Sequence, residues 1–284
     1  MNKMNDQIIK VIESLFKKSE SDHMEVLKLY KKSKDKIINF FNQLFVKYGK
    51  DGKIDYADIM KYNRLETIKK FLEGETQNNA SEEIAVTIAI LTAIFSSTYY
   101  QHAFIFEKFI DEKIRFKKLK ENLIHDMVSL NWNGIVFTER IVNNHTSMSK
   151  ALMTEFTQGL RRNESVDGIA KRVEKLFSTR LIHSNSLILT ESTRIIGAAQ
   201  EEFFKDSGIV EGVKFTAILD NQTTEFCWGH DGLRYTLDDP NRPYLPAHIN
   251  CRSVWTPILL KNIKLVNHPV SLDDYDDWYE ENID

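Results

Sequence analysis

Residues 227–251 read Cys-Trp-Gly-His-Asp-Gly-Leu-Arg-Tyr-Thr-Leu-Asp-Asp-Pro-Asn-Arg-Pro-Tyr-Leu-Pro-Ala-His-Ile-Asn-Cys, and the cysteines that bound this stretch are the only two in the chain. They sit in mirrored frames, Cys227-Trp-Gly-His230 and His248-Ile-Asn-Cys251. A thiolate and an imidazole two residues apart reach one ion from a single tight turn. Two such turns complete the tetrahedron that zinc takes in a closed structural site. The order is C-x2-H then H-x2-C, which has the donor chemistry of a zinc finger without its usual order of ligands. Asp231 is an alternative oxygen donor for the fourth position beside His230. A disulfide and a pair of unligated buried thiols stay open as other readings. Two cysteines and no recognisable leader point to a reducing, intracellular setting, where disulfides are rare.

Working outward, the stretch is flanked by strand patterns. Val213, Phe215 and Ala217 alternate with Lys214, Thr216 and Ile218, Asp231-Gly232 fits a tight turn into Arg234-Tyr235, and Ser253-Val254-Trp255 follows the second turn. Upstream the chain is helical. Ser149–Arg162 places Leu152, Met153, Phe156 and Leu160 on one side. Asn163-Glu-Ser165 is a break, with Ser165 suited to cap a helix over Val166–Phe177. A longer helix is expected from about Ser178 to Phe204, ending near Gly208.

Farther out, Ile8, Ile9, Val11, Ile12, Leu15 and Phe16 form one apolar stripe. Val26, Leu27, Leu29, Tyr30, Ile37, Ile38, Phe41, Leu44 and Phe45 form another, so two helices packed on each other are expected on either side of the polar stretch after Lys18. Lys108–Leu130 also has helical spacing. Residues 48–55 carry an Asp-Gly-x-Ile element, but with Gly52 at the sixth position of a calcium loop, Lys47 and Gly49 fall where oxygen ligands are needed, so a solvated turn is expected. Ile84–Phe106 contains no charged residue and is long enough to span a bilayer. Its Thr, Ser, Gln and His content and the lack of basic flanks favour a buried helix, with no membrane partner.

The composition fits this division. The chain has 284 residues, 42% of them hydrophobic, with 11 glycines and 5 prolines, enough for a sizeable core and biased toward helix. Residues 1–200 carry 31 Lys and Arg against 25 Asp and Glu, and residues 201–284 carry 7 against 16. A basic excess of 6 therefore precedes an acidic excess of 9. Neither half has the concentrated positive face of a tight nucleic-acid binder, so any DNA contact is expected to be weak or local. The expected fold class is mainly α with a small C-terminal α+β module. A helical interaction region covers 1–145, the clipped module 146–262, and an exposed acidic tail 263–284.

A set of short motifs then carries a resemblance. Leu189-Thr190-Glu191-Ser192-Thr193-Arg194, Gly212-Val213-Lys214-Phe215, Leu219-Asp220, Thr224-Glu225-Phe226-Cys227, Asp231-Gly232 and Pro246-Ala-His248-Ile-Asn250-Cys251-Arg252-Ser253 together resemble the phage Mu F-like minor head proteins over about residues 145–260. The element from Trp132 to Ile141 resembles head morphogenesis proteins of tailed phages in the same way. Leu245 and Ile249 stand where the family has proline, and the position of His230 varies within it.

The resemblance implies a virion-interior protein, made in the host cytoplasm. It would act at the portal vertex during capsid assembly, with the portal protein and other capsid proteins as partners and with a possible weak contact to packaged DNA. Glu191 and Arg194, three apart on a helix, are read as a structural pair. The alternatives are a metal-dependent nuclease built on His230, Asp231, His248 and Asn250, and a toxin-like ADP-ribosyltransferase using Glu191. The chain has no glycine-rich phosphate cradle and no nucleophile with a neighbouring base, so a non-enzymatic role is expected.

Overall fold

The computed structural model describes residues 3–266, 271 and 274–283. The chain is mainly helical, with a small antiparallel sheet near the C-terminus, as the composition leads one to expect. The helices are α1 (Lys3–Tyr48), α2 (Tyr56–Met60), α3 (Arg64–Phe109), α4 (Glu121–Ser129), α5 (Phe137–Arg161), α6 (Val166–Ser207), α7 (Glu225–His230) and α8 (Tyr275–Asn282). The strands are β1 (Val210–Thr216), β2 (Arg234–Thr236) and β3 (Val254–Leu259), in the order β2-β1-β3.

Two expected helix breaks are absent. Ser19, in the polar stretch after Lys18, is buried inside α1 and donates its hydroxyl to the Phe16 carbonyl, so it is satisfied within the helix rather than ending it. His23, in the next turn, is also buried. The two expected N-terminal helices are therefore one. Likewise Phe177 and Ser178 lie inside the single helix α6, which ends before Gly208 at φ +66°, the left-handed position that suits glycine. Asn163, at φ +55°, marks the expected break between α5 and α6. The segment 108–130 is not one helix. α3 ends at Phe109, and Ile110 pairs with Leu265 before α4 begins. The helical spacing there was coincidental, because pairing with residues 264–266 claims the backbone after Phe109.

The chain divides into two compact units that interleave in sequence. One comprises residues 1–22, 89–130 and 186–284, the other 23–88 and 131–185. These units cut across the boundaries expected at 145 and 262, since α1, α3 and α6 each supply residues to both.

In the second unit Val26, Tyr30, Ile37, Phe41 and Phe45 of α1 pack with Ile68 and Leu72 of α3, Leu152 and Phe156 of α5, and Ile169 and Val173 of α6. Their i, i+4, i+7 spacing is what brings them to one face. A buried polar network lies in the same unit. Tyr30 and Ser184 donate to the Glu83 carboxylate at 2.9 and 2.5 Å, His145 Nε2 lies 2.7 Å from it, and His23 lies 3.0 Å from Ser184 Oγ. Burial pushes the Glu83 carboxyl up, but the hydrogen bonds from His145, Ser184 and Tyr30 outweigh it and hold the group below the usual carboxylate range.

In the first unit the uncharged run of α3 buries Leu91, Ile94, Phe95, Tyr99, Phe104 and Phe106, and Tyr99 and Phe106 meet Phe203 of α6 edge to face. α3 is long and apolar enough by composition to cross a membrane, and these side chains are buried within the unit. His102 sits among them. Its Nδ1–H donates to the Thr98 carbonyl at 2.7 Å, and Gln200 Nε2 lies 3.1 Å from its Nε2. Gln200 also donates to the Trp255 carbonyl and accepts from the Trp255 amide, which fixes β3 to α6.

The acidic C-terminal segment is not a free tail in its described part. Residues 275–282 form α8, whose Trp278 is buried against Phe104 and Phe116 and donates to Glu107. The aromatic residues among the acids override the composition. Residues 267–270, 272, 273 and 284 of that segment lie outside the described residues.

Candidate metal centre

The site is assembled in the first unit by α6, β1, α7 and the loop before β3. Thr224 caps α7 by accepting from the Cys227 amide, so the first cysteine is carried on a helical turn rather than on a loop. The second frame is closed by the Cys251 amide donating to the His248 carbonyl at 3.1 Å. That turn places Asn250 at φ +59°, which asparagine tolerates better than most residues. Thr190 of α6 accepts from the Asn250 amide at 3.0 Å, and Thr193, one turn on, donates to the Cys251 carbonyl. The Thr-Glu-x-x-Arg helix thus holds the second frame through its hydroxyls. The Thr190/Thr193 spacing of three was the signal for this, and the sequence reading passed it over.

Cys227, His248 and Cys251 come together, with their ligand atoms all within 4.8 Å of one another. Both thiols are buried and His248 is half-buried. The His248 Nδ1–H donates to the Ile249 carbonyl at 2.9 Å, which leaves the Nε2 lone pair facing the Cys227 sulfur at 3.1 Å. Fixing the far nitrogen of an imidazole on a carbonyl is the usual way a histidine is oriented as a ligand. Two zinc ligands, sulfur and nitrogen, on one tetrahedral ion lie about 3.6 Å apart, so the set needs only a small expansion to admit the ion. Ser253 adds a hydroxyl donated to the Cys227 sulfur at 3.2 Å. Burial pushes the Cys227 thiol up, and the Cys251 sulfur beside it does the same, while the Ser253 hydroxyl opposes them. A bound cation would reverse that preference at Cys227. The three residues fit a soft divalent metal ion.

His230 and Asp231 lie outside this group. The His230 ring stacks on Phe226 at 3.9 Å between centroids, and its Nδ1–H donates to the Phe226 carbonyl. Asp231 accepts the Ala217 amide at 2.9 Å, which ties the turn after α7 to the end of β1. The i, i+3 spacing of Cys227 and His230 suits a shared ion, but on the α7 turn the aromatic stack with Phe226 holds the imidazole instead.

Glu191 and Arg194 form a buried ion pair, Nε to Oε2 at 2.6 Å. The same guanidinium donates to the Met127 and Val128 carbonyls at 2.7 and 2.9 Å, the last turn of α4, where helix carbonyls have no intrahelical partner. Asp220 and Arg252, both in the quoted motifs, form an ion pair of their own. The Arg252 guanidinium beside it, with the Gln222 amide, holds the Asp220 carboxyl below the usual range. No role had been given to that pair from sequence.

Comparison with known proteins agrees with the motifs. Residues 150–256 match the family described as Phage Mu protein F like protein. The minor head protein GP7 of Bacillus phage SPP1 is 23% identical over 154 residues, 54% of this chain and 50% of that protein, so the chain spans about half the length of the curated relative it matches. No solved structure matches. The Mu F-like resemblance therefore stands on a matched segment that holds Glu191, Arg194, Asp220, Cys227, His248, Cys251 and Arg252 together.

Proposed function

We propose that this chain is a phage minor head protein that takes part in head assembly inside the virion, binding the portal vertex and other capsid proteins, with its clipped module as a rigid docking unit. The observation that carries this reading is the coincidence of the family match with the sheet module and its three-residue donor set. A zinc ion on Cys227, His248 and Cys251 would tie α7 to the loop before β3. It would stabilise the module, because the unfolded chain offers no preformed site for the ion. Contact with packaged DNA would be secondary and local, given the mixed charge.

A non-enzymatic role is part of the proposal. Glu191, the carboxylate a transferase would need, is engaged by Arg194. His230 and Asp231, which a nuclease would draw on, are engaged by Phe226 and by the Ala217 amide. Co-expression with the portal protein encoded by the same phage, followed by size exclusion, tests the assembly reading. A complex that co-elutes supports it. Separate elution of two folded proteins, together with DNA cleavage lost in His248→Ala, would replace it with the nuclease.

A further inference from the structure

The donor set is one short of a closed site. Among the described residues only Cys227, His248 and Cys251 converge, and the two residues expected to supply the fourth ligand are held elsewhere by a ring stack and by a backbone amide. Tetrahedral sites with four protein ligands are structural, whereas three protein ligands leave a position for an exchangeable one. Both sulfurs are buried and His248 is half-buried, so of the three donors only the histidine belongs to a partly exposed residue. The residues next to the ligands in sequence, Trp228 and Ile249, are apolar and 57% and 72% exposed.

We propose that the ion held by Cys227, His248 and Cys251 keeps its fourth position open to an exogenous thiolate. This rests on the metal-clip reading above and goes beyond it by assigning a ligand site. Two sulfur donors and one imidazole select a soft metal, and a soft metal favours sulfur in the remaining position. Exposed apolar side chains next to two of the ligands in sequence, Trp228 and Ile249, favour a ligand with a hydrocarbon stem over a strongly hydrated anion. On binding, the thiol sulfur bonds to the metal, displacing solvent, and its proton passes to bulk water. A cysteine of another chain would make the clip a docking joint completed in trans.

The test is the full chain loaded with cobalt(II) in place of zinc, titrated with 2-mercaptoethanol. Visible absorption reports the coordination, and elemental analysis reports retained metal. The proposal expects one cobalt per chain and sulfur-to-cobalt bands that intensify and saturate at one added thiolate per ion with the metal retained. His230→Ala and Asp231→Asn should leave the starting spectrum unchanged. Retained cobalt with a spectrum that added thiol does not alter, or one changed by either of those two substitutions, overturns the open position while leaving the clip intact. No cobalt bound by wild type, with the same far-UV spectrum before and after loading, removes the clip itself and the ligand site with it.

Discussion

Replacing Arg194 with alanine should be among the most damaging single changes in the first unit. The side chain is 5% exposed and its partner Glu191 is 1% exposed. The guanidinium satisfies that carboxylate and two carbonyls at the end of α4. Removing it breaks a buried ion pair and takes the guanidinium from the end of α4, a change that costs about 3–5 kcal/mol. The lost carbonyl bonds belong to the same network, so their contributions of about 1–3 kcal/mol each do not simply add. For a chain of this size the cost corresponds to a fall in Tm of roughly 6–20 °C. Arg194→Lys keeps the charge but not the fork, and should lose about 1–3 kcal/mol. The neutral double variant Glu191→Gln/Arg194→Met should recover part of the loss, because both buried charges of the pair are removed together. Urea and thermal unfolding followed by circular dichroism measure all three. An R194A protein that unfolds within about 1 kcal/mol of wild type, the ordinary effect of a point mutation, would refute the view that this arginine joins α4 to α6.

Three further expectations concern stability. Burial lowers the His102 pKa from 6.5 to about 4, so between these values the unfolded chain binds a proton that the folded one does not. Stability should therefore fall as pH drops through that window, by about 3 kcal/mol in all, and His102→Gln should flatten this acid limb; an unchanged limb would contradict it. At Gly212 a Cβ would stand 2.5 Å from the Tyr235 carbonyl oxygen, so Gly212→Ala must displace β1 from β2 at about 1–3 kcal/mol, and an unaltered urea midpoint would show otherwise. Glu83→Leu removes the common acceptor of Tyr30, His145 and Ser184 and should cost about 3–5 kcal/mol by chemical denaturation, whereas a loss near zero would mean that the network is dispensable.

What the sequence disclosed follows from the range of the forces involved. Apolar periodicity is local, so the helical character and the Val213/Phe215 strand were legible, as was the change of pattern after Gly208. Breaks were not. Ser19 and Ser178 look like interruptions, but a serine that bonds back to its own helix does not end it, and long-range packing decides. The undetected docking of α8 has the same origin, since Trp278 meets Phe104 and Phe116 from distant parts of the chain.

At the site, the convergence of Cys227, His248 and Cys251 was legible from the paired frames, whereas His230 of the same frames was not. Spacing could not show which way the His230 ring turns, because both choices satisfy i, i+3. The stack with Phe226 depends on the helical turn that Thr224 caps. The supporting hydroxyls of Thr190, Thr193 and Ser253 lay in the quoted motifs, but their partners are settled only by the fold.

The clip itself is most directly tested by metal analysis of the full chain purified under reducing conditions without added metal. The account predicts about one zinc per chain, reduced to background in Cys251→Ser and retained in His230→Ala. Wild-type protein with zinc at background and both thiols freely titratable in the folded state would contradict it.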